Sequence, residues 1–231
     1  MKPILLAGLL LAAPPAAAAP SPADEADTET LRTATSLLNQ GKPDEVIRLV
    51  DPVLTRLEAD AAGRGRRIYS GQTSTQTLAY MLTAATDKVD AVDVGPSLGR
   101  ANFLKAYALI DLKQGMEAKP FLERAVALSP MNAQYLCELA SWHAVRKQAD
   151  TALELYGRCE DGAGTSPDEV RDRFRAAALR GKGFVLIDLG RLDEAEKAER
   201  ESLKLEPGNP TALHELDFIA RQRAAPGRDK I

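Results

Sequence analysis

The side chains of this sequence that could do chemistry are two histidines, two cysteines and a recurring pair of aspartates, and their spacing argues against catalysis. His143 and His214 fall on different predicted helices far apart in the chain. A metal site needs three or four converging His, Cys or carboxylate ligands, and no segment has such spacing. Cys137 and Cys159 lack the C-x-x-C arrangement of a redox pair. Asp111 and Asp188 stand in matching Leu-Ile-Asp-Leu segments and read as solvated carboxylates on helix faces. No G-x-S-x-G elbow, phosphate loop or dinucleotide fingerprint occurs. The expectation is a protein that is not an enzyme and carries no metal or cofactor. A hydrolase or thiol-redox enzyme is the last-ranked reading.

The elements that must position any site are helices. Ala and Leu dominate while aromatic residues make up only 5% of the 231 residues, a bias toward helix and away from sheet. The formal charge is −3, without a long basic block. That argues against nucleic acid as a partner, because phosphate binding needs Lys and Arg clustered on one face. The start of the chain reads as a secretory signal over residues 1–19. Lys2 precedes the apolar run Ile4 to Leu11, Pro14 and Pro15 break it, and Ala16 to Ala19 offer a small-residue cleavage site. The apolar run is too short for a bilayer span, as is every later one. The mature chain is therefore expected to be exported, soluble and periplasmic, with a flexible linker over residues 20–27.

Internal repetition decides the fold. Residues 106–130 read AYALIDLKQGMEAKPFLERAVALSP and residues 183–207 read GFVLIDLGRLDEAEKAERESLKLEP. The two align without a gap and share eight of 25 positions. Each reads as a helix, a polar turn and a second helix stopped by Pro. Small residues where two antiparallel helices cross let them approach closely, and Leu or Tyr nearby fills the layer between hairpins. The arrangement resembles the tetratricopeptide repeat, a unit of about 34 residues. Leu179, Gly183, Leu186, Gly190, Ala195, Leu205 and Pro207 carry the resemblance in the last unit. Ala106, Leu109, Ala118, Leu122, Ala125, Leu128 and Pro130 carry it in an earlier one, and Leu136, Leu139, Ala140, Ala152 and Tyr156 between them. Ala34, Leu37, Gly41, Val46, Val50 and Val53 fit a degenerate first unit.

The resemblance implies an all-α, short right-handed solenoid of stacked antiparallel helix pairs over residues 28–223. Its units fall at about 28–60, 61–98, 99–132, 133–165 and 166–209, with a capping helix over 210–223 and a disordered tail over 224–231. One hairpin cannot bury both of its faces, so units must stack and the last must be capped. Asn209 and Pro210 suit the start of that cap, and Leu213, Leu216 and Ala220 form its expected inward stripe. The unit at 61–98 is irregular. It reads either as a second hairpin of helix and linker or as an inserted functional loop. Residues 160–165 read as a flexible joint.

In such a solenoid the first helices line a concave face. Its expected lining is Phe103, Tyr107, Ile110, Asp111, Ser141, Arg180, Phe184 and Asp188, a mixture suited to an extended peptide or a partner helix. The alternative is that Phe103, Tyr107 and Phe184 only pack against neighbouring helices. The Lys and Asn with which one class of these repeats grips a C-terminal carboxylate are missing at these positions. Cys137 and Cys159 would lie at one level of an antiparallel hairpin. They are either a disulfide of an oxidising compartment or two separate thiols. The expected function is a non-catalytic scaffold or adaptor holding an unidentified protein or peptide. A structural subunit using residues 59–100 or the terminal helices is the alternative.

Overall fold

A computed structural model describes residues 22–224. Within them, helices pair antiparallel and the pairs stack. The first pair is α1 (Pro22–Asn39) with α2 (Pro43–Ala62), and the second is α4 (Ser97–Asp111) with α5 (Gly115–Leu128). The third is α6 (Ala133–Val145) with α7 (Ala149–Gly162), and the fourth is α8 (Asp168–Asp188) with α9 (Leu192–Leu205). Helix α10 (Pro210–Ala224) closes the stack. The same turn recurs inside every pair. Gly41, Lys113, Lys147 and Gly190 each take a left-handed backbone conformation (φ 69°, 65°, 58° and 71°) directly after the first helix. The signal segment lies outside the described residues, as do all but the first residue of the expected tail. The expected linker is corrected in part, because Pro22 to Asp27 already belong to α1. Asp27 is buried and pairs with Arg56 of α2, which anchors that first turn.

The segment between α2 and α4 is not a helical hairpin. It forms strand β1 (Arg67–Tyr69), helix α3 (Ser74–Thr86) and strand β2 (Ala91–Asp93). The strands pair in parallel with Ile68 opposite Val92, and a parallel pair requires a crossover, which α3 provides. With this unit folded aside, α2 packs directly on α4. Glu58 of α2 fixes that contact. It accepts two hydrogen bonds from the Arg124 guanidinium (3.0 and 2.7 Å) and one from Asn102 (3.1 Å). Arg124 foremost holds its carboxyl below the ordinary range.

Ser70 ties the inserted unit to the stack. Its N–H donates to Leu128 O (2.8 Å), its hydroxyl donates to Gly95 O (2.6 Å), and Ser129 Oγ donates to its carbonyl (2.6 Å). Further along, Thr73 Oγ1 donates to Thr165 O and Gln76 Nε2 to Thr165 Oγ1, both at 3.2 Å. The unit therefore spans from the start of α4 to the turn before α8. That turn is ordered: α7 runs to Gly162 and closes in a 3-10 turn at residues 163–165, where a flexible joint was expected.

The core runs in successive clusters: Leu31, Val46, Val50, Leu98 and Leu104 at the start of the stack, Leu122, Leu136, Leu139 and Tyr156 in its middle, with Ile47 and Phe121 touching both, and Leu186, Ala195 and Ile219 at the cap. At the cap, Asn209 Oδ1 accepts from the N–H groups of Thr211 and Ala212 (3.1 and 3.3 Å). The buried side of α10 is Ala212 and Ile219, so the expected stripe is out of phase, and Leu213 and Ala220 face outward. Among the described residues no helix is long and apolar enough to cross a membrane.

Candidate functional site

Helices α4, α6 and α8, the first of their pairs, present side chains to one shared face. Two hollows open on it. The first is a cavity of roughly 340 Å³ at the beginnings of these helices. Arg100 and Phe103 come from α4, Gln134 and Tyr135 from α6, Val170, Arg173 and Phe174 from α8, and Gln72, Thr73 and Gln76 from the inserted unit. The second lies lower, between α6 and α8. Ser141, Val145, Tyr156, Arg180, Gly181 and Phe184 line it, and Thr211 of the cap stands at its rim.

The eight residues expected to line the groove divide among these places. Ser141, Arg180 and Phe184 meet in the lower hollow. Phe184 is 41% exposed. Arg180 pairs with Glu206, and Ser141 is hydrogen-bonded to the Tyr156 hydroxyl. Asp188 stands close by, 2.7 Å from Lys147 Nζ, which in turn lies 5.7 Å above the Phe184 ring. Phe103 is only 5% exposed and stacks on Tyr135 at 4.8 Å between ring centroids, so it is mainly a core residue with an edge on the upper cavity. Tyr107, Ile110 and Asp111 line neither hollow. Tyr107 and Ile110 are half-buried against the core, and Asp111 is exposed.

Between the hollows sits Glu138, half-buried on α6. Burial pushes its carboxyl up to about 7. Its charge, more than burial, raises the Tyr107 phenol. The sequence reading missed Glu138, although its place on one helical face with Gln134, Ser141 and Val145 was visible in the spacing. It also missed the upper cavity. Three of that cavity's residues arrive from the inserted unit, and no local pattern foretells that a segment near residue 73 folds back on residue 165.

His143 is half-buried, its Nδ1 2.5 Å from Gln148 Oε1 and its ring edge-on to Trp142. His214 is exposed beside Glu215. Among the described residues no three His, Cys, Asp or Glu gather as metal ligands. Cys137 and Cys159 face each other across the third pair, with their Cα atoms 5.4 Å apart and their sulfurs joined.

This geometry is that of a helical-repeat solenoid with two hollows on one face, and comparisons with known proteins agree on the fold. Residues 99–132 match the family model described as tetratricopeptide repeat. Among curated protein sequences none matches the chain. Solved structures share the fold at low identity. The PilF protein of Pseudomonas aeruginosa superposes with a TM-score of 0.61 at 13% identity, covering 88% of this chain and 72% of that one. MamA of strain AMB-1 gives 0.52 at 15%, covering 86% and 89%. MamA of strain MSR-1 gives 0.52 at 16%, covering 86% and 87%. The fold is that of a tetratricopeptide-repeat solenoid, a class that generally binds protein partners and does not catalyse.

Proposed function

We propose that this protein is a non-catalytic scaffold or adaptor of the bacterial-type periplasm, holding a partner peptide or helix on its concave face. One observation carries the reading: two hollows lie in line on a single face, with Phe184 and Val145 exposed at the lower one. Partly exposed aromatic and aliphatic groups beside a preformed groove are suitable anchors for such a partner. Photocrosslinking in the native cell tests it. A photoreactive residue at Phe184 or at Gln134, which line the lower and upper hollows, is expected to give one discrete protein adduct, and the same residue at Glu123 on the outer side none. Silence from both groove positions sinks the reading.

A second reading has an observation of its own. Leu78 and Leu82 stand one turn apart on α3 and are 61% and 59% exposed, which suits a subunit docked through the inserted unit. An adduct at Leu78 with none at Phe184 would favour it.

The periplasmic part of the proposal rests on the amino-terminal signal and on the facing cysteines, since disulfides persist in oxidising compartments. Intact-mass measurement of protein isolated from its native cell checks both. Denatured protein is expected to take up no alkylating agent before reduction and two equivalents after it. Its mass is expected to lack the first 18 or 19 residues.

A further inference from the structure

The upper cavity has a charge character of its own. Its lining includes Arg100 and Arg173 but no Asp or Glu, in a chain whose formal charge is −3. Arg56, Arg124, Arg180, Arg191 and Arg223, by contrast, pair with carboxylates. Arg100 instead donates to the Thr35 hydroxyl (2.9 Å), and Arg173 lies over the Phe174 ring at 5.3 Å. Among the described residues neither is paired with an acid. The amino-terminal ends of α3, α6 and α8 also open onto the cavity, and each adds the positive end of its helix dipole. Beneath lies an aromatic floor, Phe103 stacked on Tyr135, with Phe174 beside it.

We propose that this cavity, walled by Gln72, Thr73 and Gln76 of the inserted unit, seats an acidic side chain of the partner peptide, with Arg100 and Arg173 as its counter-ions. The inference rests on the concave face being the partner site. Uncompensated guanidinium groups in a half-enclosed, aromatic-floored cavity favour a carboxylate, because arginine presents a planar fork of donors that matches it. The neighbouring apolar floor suits the aliphatic stem of Asp or Glu and the residue next to it. A nucleic-acid backbone fits less well, since two arginines cannot offset a chain of net negative charge.

The test is selection of peptides on the full mature protein from a displayed random 12-mer library. Enriched peptides are expected to carry Asp or Glu at a recurrent position. For a synthetic, doubly blocked copy of an enriched peptide, Arg100→Gln and Arg173→Gln are each expected to weaken binding about tenfold, as is replacing the peptide's acid by its amide. In the double variant the amide change should have no further effect, with thermal unfolding of the variants unchanged. Enriched peptides without acidic residues, or insensitive to both arginines, overturn the proposal and leave the groove reading standing. A requirement for a free C-terminal carboxylate, or competition by an oligothymidylate at the same site, also overturns it. No enrichment at all fails both readings.

Discussion

Replacing Gly181 by Ala is expected to destabilise the protein by about 3 kcal/mol, the reverse of what the same change does on an open helix. Gly181 lies inside α8, where an added methyl would ordinarily gain roughly 0.5–1 kcal/mol by restricting the unfolded chain. Here a Cβ would stand 2.1 Å from Tyr156 Cζ and 2.2 Å from Cε1, far inside van der Waals contact. The ring cannot swing away freely. Tyr156 is buried in the core of the third pair, and its hydroxyl is bonded to Ser141. Either α8 and α7 separate or the ring leaves its pocket, and overpacking of that kind costs about 1–3 kcal/mol or more. Gly157→Ala is the control, because nothing lies within 4 Å of a Cβ at that position of α7, and a small gain is expected. Urea unfolding of the two variants should therefore shift in opposite directions. Tyr156→Leu combined with Gly181→Ala should recover much of the loss, whereas Tyr156→Phe, which keeps the ring, should not. A gain in stability for Gly181→Ala alone would mean that the two helices are further apart than described.

The same close contact shows why parts of this molecule were legible from residues and others were not. Small residues at fixed spacing announced the helical pairs: Ala106 with Ala118 and Ala125, or Gly183 with Ala195, are all buried where partner helices cross. Helix stops at Leu-x-Pro and left-handed turn residues at Gly41 and Gly190 gave the pair boundaries. The strands escaped notice because each has only three residues, too few to display alternation. Val92 and Val94 therefore looked like linker. Phe103 was expected in the groove because its helical face was right. Its burial depends on Tyr135 of the next pair turning to stack on it, a contact that helical phase does not record. The capping helix fails in the same way by one position. Its Leu and Ala spacing fitted a stripe, but its neighbours α9 and α8 select Ala212 and Ile219 instead. The lower hollow was assembled from within-helix periodicity and was partly foreseen. The upper cavity needs a contact between Thr73 and Thr165 and was not.

Glu199 sets the second large effect, a fall in stability as pH rises from about 5 to 8. Its side chain is fully buried on α9 against the backbone of Gly183, and neither carboxyl oxygen has a hydrogen-bond partner among the described residues. Burial, then the charge of Glu215, push its carboxyl up to about 8 against the opposing pull of Arg180. In the unfolded chain it titrates near 4.5. Below that value both states are protonated and pH has no effect. Between the two values the unfolded chain ionises first, so folding takes up a proton and stability is lost with each unit of rising pH, levelling off above 8. The loss at pH 7 is on the order of 3 kcal/mol. Glu138, raised to about 7, adds to the slope with the same sign. Glu58, Glu194 and Glu196 are shifted below 4.5, so their contributions act at lower pH and do not mask it. Glu199→Met keeps the volume and removes the proton site. Its unfolding free energy from urea titration is expected to exceed that of the unchanged protein by about 3 kcal/mol at pH 8, to match it within about 1 kcal/mol at pH 5, and to show a shallower dependence between. Stability that is flat or rising over this window in the unchanged protein would mean that Glu199 is ionised and paired, with Arg180 as the available partner. In that case Glu199→Met would destabilise, because it would remove one of the two carboxylates, Glu199 and Glu206, that Arg180 would then hold, and the two outcomes differ in sign.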